Sequence, residues 1–569
     1  MQRILNISLV VSIFILLIVE FLRPITAITQ DLGRHLLTGQ IILQTKSVPK
    51  TNLFSYTYPD FPFINHHWFS EVIYFIVYSL SGFNGLLFLT TLTILIAFSL
   101  IFFASLKKNN LIAVAIVSIF SISILFERTD VRPETFSFLF LALFIIILYK
   151  NREKPTRLIF ILPLIELLWI NTHIYFPIGI AVLGIFIIDV IMQRKNLNHQ
   201  YTSILVVVTI CSILIALLNP NGLQQVFYPL TVFNNYGYSI EENQNIFFLW
   251  NYSHKPTILF FAITVIFLFL SLIITSKKTK PVDWLLAIFF TFLAASAVRN
   301  FPLFVFGIFF PFVYSLSIIV EKINILKKPI LKTGILLTLV GIIIFQMIRF
   351  YSQKSFGFGI ATGAKNGADF FLKNNIKGPI FNNFDIGSYL EYRFYPKEKV
   401  FVDGRPESYP ADFFQKIYIP IQQDKNLFEK ISQKYNFNSI FFSHTDQTPW
   451  AESFLQNIIQ NNNWKMIYLD DSVVIFIKNN NENKEIIDRF FVAQGKMSDF
   501  SSSDITSLLR LANFFNTVGF ENQQLNMYQK ILSMDPNFCP ALNNLSVLLT
   551  RKNDPAYSIY LSKYQNQCR

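Results

Sequence analysis

Long runs of apolar residues recur along the chain up to about residue 348, and the sequence beyond them is more polar. A helix needs about 20 mostly apolar residues to cross roughly 30 Å of hydrocarbon. The chain is 52% hydrophobic and contains 63 Phe, more apolar than soluble domains usually are. We therefore predict a polytopic α-helical membrane protein with about eleven transmembrane helices. The predicted spans lie at 5–23, 84–105, 111–126, 134–149, 158–170, 174–192, 201–218, 257–275, 282–298, 301–320 and 331–348.

The first predicted span and the two short apolar runs that flank WINTH differ from the other predicted spans. Residues 1–23 have the basic start and apolar core of a secretory signal, but no small-x-small cleavage site follows them. We expect an uncleaved first span. The short runs at 158–170 and 174–192 are predicted to form two incomplete helices.

Much of the positive charge lies in short connections between the predicted spans, such as Lys107-Lys108 and Lys277-Lys278. By the positive-inside rule these connections face the cytoplasm, so the net charge of +13 argues for a membrane and against a nucleic-acid partner. With the N-terminus inside, segment 68–80 is too short to cross and is expected to be an interfacial or re-entrant helix. Everything from Arg349 onward then falls outside the cytoplasm.

The connections on the opposite side share short, aromatic, polar sequences that contain few lysines. Ionisable groups at membrane depth cost several kcal/mol unless they pair or line an aqueous cavity. Any one of them could simply be solvated, but together they indicate a polar cavity that opens outward. The set comprises Asp31, Arg34, His35, His66, His67, Glu71, Glu127, Arg128, Asp130, Arg132, Glu134, Asn171, His173, Glu241, Glu242, Lys255 and Arg299.

These residue types suit group transfer from a lipid-linked phosphate. Arginine binds phosphate through two parallel hydrogen bonds, and a carboxylate can act as general base or hold a divalent cation, Mg²⁺ or Mn²⁺. The sequence contains no P-loop, GxGxxG, GxSxG, HExxH or CxxC pattern, which disfavours the corresponding nucleotide, hydrolase and zinc sites. The predicted ligands of the donor phosphate are Arg128, Arg132, Lys255 and Arg299. Further predicted substrate contacts are His35, His66, His67, Glu71, Asn171 and His173.

The layout of one span, a long loop that opens with an Asp, many further spans and an outer C-terminal part resembles the GT-C superfamily of membrane glycosyltransferases. DLGRHLLTGQ, VPKTNLFSYT, HHWFSEVIYFIVY, DVRPETFSF and WINTH are also similar to a large set of bacterial multispanning proteins near that superfamily. The resemblance covers about residues 1–350. It implies a polyprenyl-phosphate sugar donor, an extracytoplasmic acceptor, and a location in the bacterial inner membrane.

The resemblance also implies site residues. Asp31 matches the first-loop Asp of GT-C enzymes, which is the catalytic base or a metal ligand, and Asp130 or Glu134 matches a second acidic position. Leu32 stands where several families have an acidic neighbour. The second loop, with its Arg-x-Asp-x-Arg-Pro-Glu cluster, could instead form a network of ion pairs that satisfies itself.

Residues 351–480 alternate between helical and strand-like patterns and predict a small extracytoplasmic α/β domain. The predicted strands are GPIFN, EKVFVDG, NSIFFS and a hairpin at WKMIYLDDSVVIFIK, and the predicted helices lie near 364–375, 411–419, 426–434 and 449–460. Asp385, Asp403 and Arg405 follow strand-like segments, where they could bind an acceptor or only form turns. The first is similar in spacing to the Trp-Trp-Asp-Tyr-Gly motif of oligosaccharyltransferases, with Phe384 at a Trp position.

Residues 487–569 follow a predicted linker at 479–486 and show the pattern of paired helices. Ala512, Gly519, Tyr528 and Pro536 fall at consensus positions of a tetratricopeptide (TPR) unit. Because such units need neighbours for stability, we expect this tail to pack on the α/β domain or on a partner protein. Cys539 and Cys568 could pair in an oxidising compartment.

Three functions remain open at this stage. A GT-C-like glycosyltransferase is favoured by the clustered arginines and carboxylates. A non-enzymatic membrane scaffold for envelope assembly is favoured by the TPR-like tail. A transporter is disfavoured because the two halves of the membrane part show no internal repeat of hydropathy.

Overall fold

The computed structural model describes residues 2–26, 31–193, 199–232, 237–323, 328–353, 356–361, 363–499, 502 and 504–568. Helices dominate the first part of the chain. They are α1 Gln2–Phe21, α2 Leu32–Thr45, α3 Trp68–Leu106, α4 Leu111–Leu125, α5 Glu134–Glu153, α6 Leu162–Thr172, α7 Pro177–Met192, α8 His199–Ile215, α9 Leu223–Thr231, α10 Ile246–Ser253, α11 Pro256–Ile274, α12 Pro281–Ser296, α13 Phe301–Lys322 and α14 Pro329–Gln353.

Six helices of the described residues are long and apolar enough to cross a membrane: Gln2–Phe21, Trp68–Leu106, Glu134–Arg152, Pro256–Ile274, Val298–Lys322 and Pro329–Ile348. Four shorter apolar helices accompany them at Leu111–Leu125, Pro177–Met192, Gln200–Ile215 and Pro281–Ser296. Helices satisfy all their backbone hydrogen bonds internally, which hydrocarbon requires. The protein is therefore a multi-pass membrane protein, while the predicted number of crossings stays a prediction.

Helix α3 is broken at Gly82, where φ is 60° and ψ is −156°. Only glycine adopts such a backbone conformation without strain. The break separates residues 68–81 from the apolar stretch that follows. This agrees with the prediction of a short helix at 68–80 ahead of a separate span.

A small sheet domain follows α14. Its sheet has four strands in the order β1-β2-β4-β3, with β1 and β2 parallel and the other pairs antiparallel. The elements are α15 Lys365–Lys373, β1 Ile380–Asn382, α16 Phe384–Phe394, α17 Ala411–Phe413, α18 Ile419–Gln423, α19 Lys425–Tyr435, β2 Ser439–Ser443, α20 Pro449–Ile458, β3 Trp464–Leu469 and β4 Val473–Lys478.

One predicted strand of this domain is wrong, and one of two open alternatives is excluded. EKVFVDG is no strand of the sheet, because its backbone pairs with the loop between α2 and α3: Val400 N–H donates to the Phe54 carbonyl (3.1 Å) and Tyr56 N–H to the Val400 carbonyl (3.2 Å). The segment after β1 does not end in a turn but continues as α16. Asp385 therefore lies in the first turn of a helix.

The C-terminal residues form α21 Lys484–Phe490, α22 Ile505–Thr517, α23 Glu521–Met534, α24 Cys539–Arg551 and α25 Tyr557–Cys568. Helix α21 occupies part of the predicted linker. Helices α22 and α23 meet at Gly519, whose φ of 76° suits the tight turn between them. A disulfide joins Cys539 to Cys568 and closes the α24–α25 pair. The assignment of these helices as TPR units stays a prediction.

Candidate functional site

A polar cavity of about 180 Å³ lies where the membrane helices meet the sheet domain. Six of the predicted site residues line it: Asp31, His66, His67, Arg132, Arg299 and Asp385. The remaining lining residues are Arg34, Ile174, Val232, Ile240, Glu242, Asn243, Phe384, Gly404, Pro406 and Glu407. Both parts of the protein thus contribute walls to one cavity.

Asp31 precedes α2 and keeps a third of its side chain exposed (33%). Arg34 Nη2 lies 3.7 Å from Asp31 Oδ2, and Ser388 Oγ of α16 donates to Asp31 Oδ1 at 3.4 Å. A Cβ atom on Gly404 would come within 2.5 Å of the same Oδ1. The glycine of the Asp-Gly-Arg sequence therefore permits this carboxylate to pack against the sheet domain.

A buried network supports the cavity beneath Asp31. Glu71 is completely buried; its Oε1 lies 2.9 Å from His35 Nδ1 and 3.4 Å from Arg34 Nη1, and its Oε2 accepts from Asn65 Nδ2 at 2.6 Å. Burial, followed by the charge of Arg34, lowers the pKa of His35 well below its usual range. Glu71 and His35 thus hold Arg34 in place and do not line the cavity themselves.

The second loop forms a network of ion pairs. Arg128 binds Glu134 (2.7 Å) and Glu242 (2.6 Å), and Arg132 binds Glu242 (2.9 Å). The predicted network of ion pairs is present, but it is completed by Glu242, which lies outside this loop.

Asp130 also belongs to this second loop and pairs with Arg23 at 2.8 Å. The predicted second acidic positions, Asp130 and Glu134, are thus bonded to arginines, and neither lines the cavity beside Asp31. Among the residues with described positions, no group of three or more His, Cys, Asp or Glu side chains is arranged to hold a metal ion. The predicted divalent-cation site stays a prediction.

Arg299 lies between the polar cavity and a second, more apolar one. Its Nε donates to Tyr175 Oη (2.9 Å) and its Nη1 to Asn243 Oδ1 (2.9 Å), and no described carboxylate forms an ion pair with it. The second cavity has a volume of about 560 Å³. Its lining residues are Ile174, Tyr175, Pro177, Ile178, Pro229, Tyr238, Ser239, Ile240, Asn243, Gln244, Leu293, Ser296, Ala297, Arg299 and Asn300.

Three further predicted residues lie outside the polar cavity. Asn171 Oδ1 accepts from Trp68 Nε1 at 2.8 Å, and His173 Nδ1 lies 3.0 Å from Ser137 Oγ. Lys255 pairs with Glu127 (3.0 Å) and Glu241 (2.9 Å). Their roles in substrate binding stay predictions.

Asp403 and Arg405 are buried and paired with each other. Arg405 donates to both carboxylate oxygens of Asp403, at 2.9 and 2.7 Å, and also to Asn52 Oδ1 at 2.9 Å. Its guanidinium lies 5.2 Å from the ring centroid of Phe54 and 4.9 Å from that of Phe63. Burial alone would raise the pKa of Asp403, but Arg405 outweighs burial and lowers that pKa to about 2. The pair joins the sheet domain to the loop that carries Asp31.

Asp385 faces the cavity near two other carboxylates. Burial, followed by the negative charges of Asp446 and Asp31, raises the pKa of Asp385 to about 7. Folded protein therefore keeps a proton on Asp385 over a pH range in which the unfolded chain, with a pKa of about 4, has lost it.

This difference predicts a pH-dependent stability. Because the folded state binds more protons between pH 4 and pH 7, the contribution of Asp385 to stability falls as the pH rises through that range. We expect Asp385→Asn to raise the apparent melting temperature of the purified protein at pH 8 but much less at pH 5. The exposed Asp412→Asn serves as control. Equal shifts of the Asp385 variant at both pH values would contradict this explanation.

Tyr175 and Glu407 belong to the site but were not predicted from the sequence. Tyr175 carries no chemical signature that separates it from other aromatic residues of the chain. Glu407 lies in the GRPES stretch, and its only sequence signal is that it follows Asp403 and a strand-like segment. Asn243 lies in the polar EENQN stretch of the outer loops, and the three-dimensional structure brings it to Arg299.

Solved structures of other proteins are similar in fold to most of this chain. The oligosaccharyltransferase AglB of Archaeoglobus fulgidus, in complex with an inhibitory peptide and a dolichol-phosphate, aligns over 94% of this chain and 86% of its own, with a TM-score of 0.61 and 11% identity. An Archaeoglobus fulgidus oligosaccharyltransferase tethered to an acceptor peptide aligns over 84% of this chain and 74% of its own, with a TM-score of 0.58 and 13% identity. The fold of this chain is therefore similar to that of this archaeal membrane glycosyltransferase.

Sequence comparison identifies no relative of the chain. No protein-family model and no curated protein matches the chain. ArnT from Cupriavidus metallidurans bound to undecaprenyl phosphate aligns over 83% of this chain and 97% of its own, at a TM-score of 0.48 and 11% identity, which is too weak to support an argument. The resemblance to the GT-C superfamily is thus confirmed at the level of the fold.

Proposed function

We propose that the protein transfers a sugar from a polyprenyl-phosphate-linked donor to an extracytoplasmic glycan, lipid or protein. The observation that carries this proposal is the position of Arg299. Among the residues whose positions are described, this guanidinium is bound by the neutral oxygens of Tyr175 and Asn243, and it belongs to both cavities. An isoprenoid chain suits the apolar cavity, and its phosphate would then meet Arg299 at the entrance to the polar cavity.

The polar cavity can supply the chemistry of transfer. Asp31 takes the proton of an acceptor hydroxyl as its oxygen attacks the anomeric carbon, and the bond from that carbon to the phosphate oxygen breaks. Arg299 and Arg132 stabilise the negative charge that develops on the leaving phosphate. Attack opposite the leaving group gives inversion at the anomeric carbon. The archaeal enzyme of the same fold, solved with a dolichol-phosphate, supports a lipid phosphate as ligand.

We place the polar cavity, the sheet domain and the tail outside the cytoplasm of a bacterial inner membrane. The distribution of lysine and arginine between the spans supports this orientation. The Cys539–Cys568 disulfide also supports it, since such bonds persist in oxidising compartments. In this proposal the C-terminal helix pairs are TPR-like and offer a surface for a protein partner.

Binding of bare polyprenyl phosphate to the purified full-length protein tests the proposal. We expect Arg299→Gln to weaken binding by roughly 10- to 100-fold, because it removes a charge-assisted hydrogen bond of about 1.5–3 kcal/mol. Arg510→Gln, on the exposed tail, should bind like the wild type. Equal binding by the Arg299 variant and the wild type would show that the phosphate lies elsewhere.

A further inference from the structure

The imidazole of His66 is held in one orientation at the cavity wall. Its side chain is buried, with 6% exposed, and its Nδ1 lies 3.1 Å from the carbonyl oxygen of Ile64. A carbonyl oxygen only accepts hydrogen bonds, so Nδ1 carries the proton and donates it. The ring of His67 at 3.9 Å and that of Tyr228 at 5.3 Å (centroid distances) restrict its rotation.

With the proton on Nδ1, Nε2 of His66 is unprotonated and carries a lone pair. No described residue forms a hydrogen bond with Nε2 of His66, although this residue lines the polar cavity. Burial outweighs the hydrogen bond to Ile64 and lowers the pKa of His66 to about 3. The ring is therefore neutral at physiological pH, and Nε2 can accept a hydrogen bond but cannot donate one.

The partner of Nε2 must therefore be a donor. A phosphate is excluded, because its ionised oxygens are acceptors and would repel the lone pair. The nearby carboxylates of Asp31, Asp385 and Glu407 line the same cavity and, when ionised, also accept only. A group rich in hydroxyls satisfies all these acceptors at once.

The position of His66 indicates which hydroxyls it meets. His66 and Arg299 both line the polar cavity. In the proposed function Arg299 binds the donor phosphate, and the sugar is bonded directly to that phosphate. We propose that His66 Nε2 accepts a hydrogen bond from a hydroxyl of the sugar being transferred. This inference rests on the proposed function and deepens it.

Two variants of similar size distinguish the roles of the two ring nitrogens of His66, because each replaces only one of them. His66→Gln places an amide oxygen near the position of Nε2 and keeps an acceptor there, whereas His66→Asn keeps only a donor near the position of Nδ1 for the Ile64 carbonyl. Each full-length variant is expressed in a deletion strain, and surface glycan is scored per amount of membrane protein. We expect His66→Asn to lower transfer roughly three- to tenfold, the effect of one neutral hydrogen bond, and His66→Gln to retain most of it. His254→Asn, at an exposed helix end, is the control.

A second readout distinguishes this role from a structural one. Bare polyprenyl phosphate should bind both His66 variants within about twofold of the wild type, because the lone pair acts on the sugar and not on the phosphate. Full transfer by His66→Asn, equal losses in both variants, or a parallel loss of phosphate binding would each overturn the inference. If Asp31→Asn also transfers normally, the proposed function fails; if only the His66 expectations fail, the function stands without this contact.

Discussion

Asp31→Asn should reduce sugar transfer by roughly 100- to 10,000-fold while the protein accumulates normally. The amide keeps the size of the carboxylate but cannot take the proton of an acceptor hydroxyl. Asp31 keeps 33% of its side chain exposed, and its one ion-pair partner among the described residues is distant, with Arg34 Nη2 at 3.7 Å. Its loss should therefore affect chemistry far more than folding.

The measurement is surface glycan in a deletion strain that expresses each variant at matched levels. Asp60→Asn changes an exposed carboxylate of the same loop and should leave the glycan unchanged. Unchanged glycan with Asp31→Asn at a normal protein level would rule out the assigned role of this carboxylate. It would favour the scaffold function instead.

Arg405→Ala should destabilise the contact between the sheet domain and the membrane part by about 3–5 kcal/mol, the usual cost of removing one partner of a buried ion pair. The side chain is 3% exposed, and its partners Asp403 and Glu391 are completely buried. Without the guanidinium, two carboxylates remain in a site that water does not reach. The contacts with Phe54 and Phe63 are lost as well.

The effect should appear as a fall of several degrees in the apparent melting temperature of the detergent-purified protein. Arg393→Ala provides the matched control, because Arg393 pairs with the half-exposed Asp369 and such pairs contribute about 0–1 kcal/mol. Similar melting temperatures for the two variants would show that the Asp403–Arg405 pair does not hold the domains together.

The membrane part could be predicted from sequence because hydrocarbon tolerates few backbone arrangements. Apolar runs indicated where helices cross, and the break at Gly82 agrees with a short helix before a longer one. The sheet strands at Ile380–Asn382 and Ser439–Ser443 were also predicted correctly, since their apolar side chains are buried on both faces. EKVFVDG failed because its pairing partner, around Ser55, lies far away in the chain.

The site was harder to predict, because its contacts also join residues that lie far apart in the chain. Charge distribution collected the polar loops on one side, and this placed Asp31, Arg132 and Arg299 in one predicted group. It could not show which of them bind each other. The pairs of Asp130 with Arg23 and of Glu242 with Arg128 join residues more than one loop apart. Likewise, only the three-dimensional structure shows that no described carboxylate forms an ion pair with Arg299.

A cryo-electron microscopy map of the full-length protein with polyprenyl phosphate would locate the lipid phosphate. We expect phosphate density within hydrogen-bonding distance of the Arg299 guanidinium, about 2.7–3.2 Å, with the lipid chain in the apolar cavity beside Ile178 and Leu293 and with Asp31 facing the polar cavity that Arg299 also lines. Phosphate density at another position, with Arg299 still bound only to Tyr175 and Asn243, would contradict this expectation.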